Sequence, residues 1–363
     1  MDKLSKARLM INEIDEKMAK LFCERMEASK LVAEHKQEHG LPIYDAVREM
    51  AVIENNSKKV EDDEIRAYYI NFLKATMKLS RQYQQKIISG MKVAYSGVEG
   101  AFAHIASGKI FPDGVRIPYG DFASAYSAVV NGECDCAVLP IENSYAGEVG
   151  QVLDLMFAGS LYINGVYDLE VSQNLMGLPG SKLSDIREVV SHQQALMQCA
   201  EFIKKNSFEQ IASVNTAVAA QKVAEGGDIS VAAIASKETA ELYGLTILEK
   251  DINESNFNTT RFAVFSRAEN TDKAPGNNFL LLFTVSHVAG ALAKAINVIG
   301  DHGFNMRVLR SRPVKDSNWQ YYFYVEAEGN INSDQGQKML EDLKQYCEQL
   351  KVVGNYSNKD GIL

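Results

Sequence analysis

No glycine and no proline occurs between Met1 and Gly40. Over that span Leu4, Ala7, Ile11, Ile14, Met18, Leu21 and Phe22 recur at three- and four-residue steps, and the pattern continues through Leu31 and Val32. Such steps put the side chains on one stripe of an α-helix. The spacing predicts a single helix of about 33 residues, roughly 50 Å long. A lone helix cannot bury its own stripe, so the pattern calls for a partner chain. Gly40 and Pro42 end the helix. A short helix is expected over Asp45–Lys59 and a third from about Glu61 to Ile88, with Ile65, Tyr69, Phe72, Leu73, Met77 and Leu79 on its apolar side.

From Met91 the texture changes. MKVAYSG, CDCAVLPIENS, REVVSH, ISVAAIAS and TRFAVFSR are apolar runs of strand length, with helical segments such as AFAHIASGKIF and NTAVAAQKVAEG between them. That alternation predicts an α/β domain with open sheets. Two runs end in polar clusters, Glu142-Asn143-Ser144 and Ser191-His192, and open α/β sheets hold ligands outside the carboxyl ends of their strands. TDKAPGNN, Thr271 to Asn278, is a linker by composition. After it, strand 279–285, helix 290–301, strands 305–312 and 319–327, helix 333–347 and a strand near 350–354 give the βαββαβ order of a ferredoxin-like unit. The expected organisation is three domains, 1–90, 91–270 and 277–357, in a chain of 363 residues.

Composition excludes some classes. The net charge is −9 with no strong basic block, which argues against nucleic acid as a partner. MDKLSKARLM lacks the apolar core of a signal peptide. The longest uncharged apolar stretch, Phe279–Ala293, holds Ser286 and His287 and falls short of the roughly 20 residues a membrane span needs. The five cysteines, Cys23, Cys134, Cys136, Cys199 and Cys347, have neither disulfide-framework nor zinc-site spacing. The reading is a cytoplasmic protein without a metal.

Candidate chemistry lies in both halves. Arg25 and Lys36 are eleven residues apart, about 20° around a helix, while Arg8 is seventeen before Arg25 and about 100° away. One pocket could take Arg25 and Lys36 from one chain and Arg8 from another. Asp45, Arg48 and Glu49 share a helix face, as do Ser80 and Gln84. On spacing alone, cations on a long helix read as solvated or paired. In NFNTTRFAVFSR, Asn256 to Arg267, the hydroxyls of Thr259 and Thr260 and the guanidinium of Arg261 stand at the mouth of a strand-like run. That cluster is either a strand entrance or a catalytic threonine on a rigid strand.

The order Arg8, Asp15, Cys23-Glu24-Arg25, Lys36, Pro42, Asp45, Arg48-Glu49, Ser80, Gln84 resembles the all-helical chorismate mutase domain. The resemblance implies a site made by two chains. Arg8 from one and Arg25 from the other would bind the substrate carboxylates with help from Ser80. Lys36 and Gln84 would bind the ether oxygen, and Arg48 and Glu49 the ring hydroxyl end, with Asp45 nearby. A pericyclic rearrangement needs no cofactor, only a compact conformer and positive charge at the breaking C–O bond.

PIENSYAGEV (Pro140–Val149), SHQQALMQC (Ser191–Cys199) and NTTRF (Asn258–Phe262) follow in the order of prephenate dehydratase, which this segment resembles. YSGVEGAFAH (Tyr95–His104) is similar to that family's first glycine-containing loop, with Ala101 and Ala103 where hydroxyl residues are frequent. The resemblance implies a two-lobed, periplasmic-binding-protein-like domain that turns prephenate, or arogenate, over by decarboxylative elimination. Thr260 would assist the leaving hydroxyl, polarised by Glu142 or His192. Asn143, Ser144, Ser191, Gln198 and Thr259 would line the cleft, and Arg261 would be a carboxylate contact or a structural anchor.

HVAGALAKAINVI (His287–Ile299) and GFNMRVLRSRP (Gly303–Pro313) resemble an amino-acid-binding ACT domain. This implies L-phenylalanine as allosteric effector at Gly290, Ala291, Leu292, Asn305, Ser311, Arg312 and Pro313. Arg310 stands where that family commonly has Glu. In chain order the three resemblances imply a bifunctional chorismate mutase–prephenate dehydratase, acting as a homodimer or tetramer on chorismate and prephenate. A two-lobed sensor that binds without turnover is the alternative, and the polar cluster ending at Thr260 speaks against it.

Overall fold

The computed structural model describes residues 2–39, 41–254, 258–271, 277–314 and 320–357. Gly40, Asn256 and most of the expected linker, 272–276, lie outside the described residues. The chain divides into two compact units, Met1–Lys92 and Val93–Leu363.

The first unit is helical: α1 (Lys3–Glu38), α2 (Ala46–Ser57) and α3 (Asp63–Ser89). Each starts at an aspartate whose carboxylate accepts a backbone N–H of the first turn: Asp2 from Ser5, Asp45 from Arg48 and Asp62 from Ile65. These caps satisfy donors that a helix start leaves orphaned. Within α1 only Ser29 and Ala33 are buried, and they lie towards its C-terminal end. Leu4, Ile11, Ile14, Met18, Leu21 and Phe22, the expected stripe, are all at least 42% exposed.

In the second unit the strands described form two sheets. The first lobe is built on β1 (Lys92–Ser96), β2 (Val115–Tyr119), β3 (Cys136–Asn143), the short β4 (Gly147–Glu148) and β5 (Tyr162–Glu170). It carries α4 (Phe102–Ile110), α5 (Phe122–Val130) and α6 (Gly150–Ala158). The second lobe holds β6 (Asn174–Gly177), β7 (Glu188–His192), β8 (Glu209–Ser213), β9 (Val231–Ala235) and β10 (Thr246–Glu249) in the order β10-β6-β9-β7-β8. Its helices are α7 (Gln193–Gln198), α8 (Ala200–Asn206), α9 (Thr216–Gly226) and α10 (Lys237–Tyr243). The chain then returns to the first lobe as β11 (Thr259–Ser266), between β3 and β5 and antiparallel to both. Neighbours on both edges explain why Phe262, Ala263, Val264 and Phe265 are all buried. The two segments that cross between lobes bond to each other, Ile252 N–H to Gln173 O and Val171 N–H to Asn258 O.

The remainder is β12 (Asn277–Thr284), α11 (Ala291–Asp301), β13 (Asn305–Pro313), β14 (Tyr321–Glu328), α12 (Asp334–Leu343) and β15 (Gln349–Ser357). This is the expected βαββαβ order, with strand order β13-β14-β12-β15. β15 meets β5 at Gly354–Ile163, so its sheet continues that of the first lobe. Leu280, Leu282, Tyr322, Tyr324 and Tyr356 pack into the same core cluster as Leu139, Met156, Ile163 and Phe265. All five cysteines are free thiols. Among the described residues no helix is long and apolar enough to cross a membrane.

Candidate active sites

A cleft of about 530 Å³ opens between the two lobes, lined by Asn143 and Thr260 from one side and His192, Gln194 and Gln198 from the other. Thr260 and Asn143 are directly opposed across β11 and β3. Asn143 Nδ2 donates to Thr260 Oγ1 at 2.9 Å and to Asn258 Oδ1 at 2.9 Å. Its Oδ1 accepts the N–H groups of Tyr145 and Ala146 at 3.0 and 2.8 Å. Two backbone donors can point only at an oxygen, so the amide orientation is decided by the network. Thr260 Oγ1 therefore accepts from Asn143 and keeps its own O–H to donate. Asn258 Nδ2 continues the chain to Gln198 Oε1 at 3.1 Å, joining the lobes.

Alternation along β3 corrects one expectation. Adjacent residues of a strand point to opposite faces, so when Asn143 faces Thr260, Glu142 faces away. Its carboxylate binds Arg310 and lies 3.9 Å from Arg261, so it is not the group beside Thr260; Asn143 is. Arg261 likewise points away from the cleft, to Asp168 at 3.2 Å and to buried Glu326 at 3.4 Å, which favours the anchor over the carboxylate contact. The strand pairing slips by one residue between Arg261 and Phe262, and such a bulge re-aims side chains. The extra residue, Ile141, lies on β3, so Pro140 takes the cleft face there, while Phe262 faces the cleft by ordinary alternation from Thr260.

Ser144 and Thr259 clasp each other, Ser144 Oγ accepting the Thr259 N–H at 2.9 Å. Ser191 is fully buried and donates to Ile234 O. Neither serine lines the cleft; both hold strands that do. His192 caps α7, its Nδ1 accepting the Gln194 N–H. Its Nε2 is then the nitrogen that carries the proton in the neutral ring. Cys199 is no nucleophile, because burial first and Glu254 second push its thiol up to about 12.

The loop ending at Ala101–Ala103 was marked by its motif, whereas other features of the cleft were missed. The first turns of α4, α6 and α9 line the cleft through residues 101–103, 149–151 and 214–216. Ala101 and Val149 provide no capping side chain, so first-turn N–H groups have no side-chain partner there. Helix starts of this kind favour anions. Among the described lining residues Glu148 is the one with a formal charge. Gln173, in the first crossover, also lines the cleft; it is 2% exposed and its buried Oε1 has no partner. No local signal marks it, since its burial comes from the lobes closing on the crossover.

In the helical unit a cavity of about 280 Å³ brings together Arg25, Lys36, Asp45, Arg48, Glu49, Ser80 and Gln84. Arg25 Nη1 donates to Ser80 Oγ, and Lys36 Nζ to Ile43 O. Gln84 is 8% exposed and its Oε1 has no partner. Arg81, also missed, pairs with Glu49 and stacks over Tyr44. Arg8 is exposed and does not line the cavity. It lies seventeen residues from Arg25, roughly 25 Å along α1.

Gly290 caps α11 at φ +81°, with Ala291 buried behind it and Leu292 partly buried. Asn305 Nδ2 is engaged by Glu328 at 3.0 Å. Ser311 and Pro313 are exposed, whereas Arg312 is held by Glu148 and Asp154.

Each cavity lies within a segment that matches a known family. The chorismate mutase type II family matches residues 7–85 and the prephenate dehydratase family residues 93–270. The bifunctional chorismate mutase/prephenate dehydratase of Escherichia coli K12 is 31% identical over 97% of this chain and 96% of its own. The chain belongs to the bifunctional chorismate mutase/prephenate dehydratase family. It rearranges chorismate to prephenate and converts prephenate to phenylpyruvate, in phenylalanine biosynthesis. The crystal structure of a family dehydratase from Arthrobacter aurescens in complex with L-Phe is 26% identical, with a TM-score of 0.69, covering 74% of this chain and 91% of that one. A quorum-quenching acylase is similar to the same extent in fold, at 32% identity and a TM-score of 0.69, covering 74% and 98%. One fold can thus carry different chemistry, and membership rests on the two family matches and the full-length relative.

Proposed function

We propose that prephenate binds in the interlobe cleft with its carboxylates at the starts of α4 and α6 and its ring hydroxyl at Thr260. Loss of carbon dioxide sends the C–C bonding pair through the ring, which aromatises as hydroxide leaves the opposite carbon. The protein's part is to donate to that departing oxygen. The observation that carries this reading is the Asn143–Thr260 hydrogen bond at 2.9 Å, which leaves the threonine O–H to donate. Arginine and lysine are absent from the described lining, so helix starts supply the positive field for the dianion.

Gln173 is proposed as a substrate contact. A buried amide oxygen without a partner costs about 1–3 kcal/mol, and a ligand that donates to it recovers this. Gln84 has the same signature in the mutase cavity. Gln173→Met keeps the shape and removes the orphan. The expected outcome is at least a tenfold loss of prephenate kcat/KM with an unchanged or raised Tm; an unaltered kcat/KM defeats the assignment.

The mutase site is proposed to be shared between two copies in a homodimer. Arg25, Ser80, Lys36, Gln84, Arg48 and Glu49 surround one cavity, and the exposed α1 stripe brings Arg8 from the second copy. Burying each large apolar side chain of that stripe is worth about 1.5–3 kcal/mol. Residues 277–357 are proposed to be an ACT domain that binds phenylalanine at the start of α11 and at Ser311. A cytoplasmic location accords with the free cysteines. The test is turnover of prephenate with and without phenylalanine. Inhibition is expected; indifference to phenylalanine at millimolar levels removes the regulatory part.

A further inference from the structure

Arg310 and Arg312 are two residues apart on β13 and share a half-buried face, while Ser311 between them is exposed. Both guanidinium groups reach the first lobe. Arg310 Nη2 donates to Glu142 on β3, and its Nε lies 3.9 Å from Glu148 on β4. Arg312 Nη1 donates to Glu148, and its Nε donates to Asp154 of α6 at 3.1 Å. Arg312 also packs on the first residue of α6. A Cβ built on Gly150 would lie 2.6 Å from both of its terminal nitrogens.

The hairpin explains why cations belong there. Glu142 and Glu148 are direct cross-strand partners in the β3–β4 pair. Two carboxylates opposed in this way repel. Their side chains are only 29% and 31% exposed, so water screens the repulsion incompletely. Arg310 is placed against both. Arg261, the other cation near Glu142, is already engaged by Asp168 and Glu326. The same hairpin lines the cleft through Asn143, next to Glu142, and through Gly147 and Glu148 itself.

We propose that Arg310 is a positioning residue of prephenate dehydration: it neutralises the Glu142–Glu148 pair and so holds the hairpin, and with it Asn143, in register against Thr260. The C-terminal βαββαβ unit thus completes the dehydratase site from behind. This rests on the reading of Thr260 as the group that assists the leaving hydroxyl. It also gives a role to the position where the chain departs from the ACT pattern.

The test uses the full-length protein and prephenate. Arg310→Gln is expected to lower kcat about tenfold with KM changed less than about threefold, because the substrate's own contacts stay in place. Arg310→Lys keeps the charge and is expected to restore most of kcat. Adding Glu148→Gln to Arg310→Gln removes the repulsion and is expected to recover at least about threefold, beyond what the single substitutions predict. A kcat for Arg310→Gln within twofold of the parent overturns the proposal. So does an Arg310→Lys enzyme as poor as Arg310→Gln without recovery in the double variant, since that pattern means packing and not charge. Thr260→Ala, measured alongside, separates the two readings. If that variant still dehydrates prephenate, the site reading falls and the proposal with it. If it is dead while Arg310→Gln is unaffected, the proposal alone falls.

Discussion

Thr260→Ala lowers the kcat of prephenate dehydration by about 10²–10³-fold and leaves chorismate turnover unchanged. The magnitude is that of removing one donor aimed at charge that develops in the transition state, roughly 2.7–4 kcal/mol. The substitution should cost little stability. Asn143 Nδ2 keeps acceptors in Asn258 Oδ1 at 2.9 Å and Thr259 O at 3.3 Å, so no buried donor is stranded. Thr260→Val tests the hydroxyl at constant shape and is expected to be as poor, while Thr260→Ser retains most of the rate. Steady-state kinetics with both substrates on the same preparation decide it. A Thr260→Val enzyme with near-normal kcat would refute the assignment, and parallel loss of both activities would point to misfolding.

Lys36→Ala lowers chorismate turnover about 10²-fold or more and spares prephenate dehydration. A pericyclic reaction gives the protein little to do beyond compacting the substrate and meeting the charge on the ether oxygen. An ammonium at that point is therefore a large share of the rate. Lys36 lines the helical cavity, but Arg8 lies far along α1. This leads to a sharper experiment. Arg8→Ala and Lys36→Ala should each be inactive as mutases. Unfolded together and refolded as a mixture, half of the dimers carry one of each chain. In each of these, one of the two sites has both residues intact, so about a quarter of the parent activity returns. No recovery on mixing means that Arg8 and Lys36 do not meet across two copies.

Local patterns carried much of the architecture. The three- and four-residue steps from Leu4 to Val32 gave a helix of about 33 residues, and α1 has 36. The βαββαβ order after residue 277 was legible from alternating apolar runs and helical stretches, to within a few residues at each boundary. Asp45 was placed correctly beside Arg48 and Glu49, although its carboxylate caps α2. The motif around Thr260 falls on β11, at the interlobe cleft. Which neighbour meets the threonine was not legible. Glu142 and Asn143 are adjacent in sequence, and only the pairing of β11 with β3 shows that Asn143 is the one opposed to Thr260.

From sequence by itself came the helices, the strand runs, the order of the segments and the residue types able to do the chemistry. These depend on periodicity and spacing, which act over a few residues. The tertiary structure alone decided that Glu142 answers to Arg310, 168 residues away, and that Asn143 reaches Asn258 and, through it, Gln198. It also decided that three helix starts and the unpaired amide oxygen of Gln173 meet in one cleft. Strand register and lobe closure bring such groups together, and a one-residue change of register turns every side chain to the opposite face.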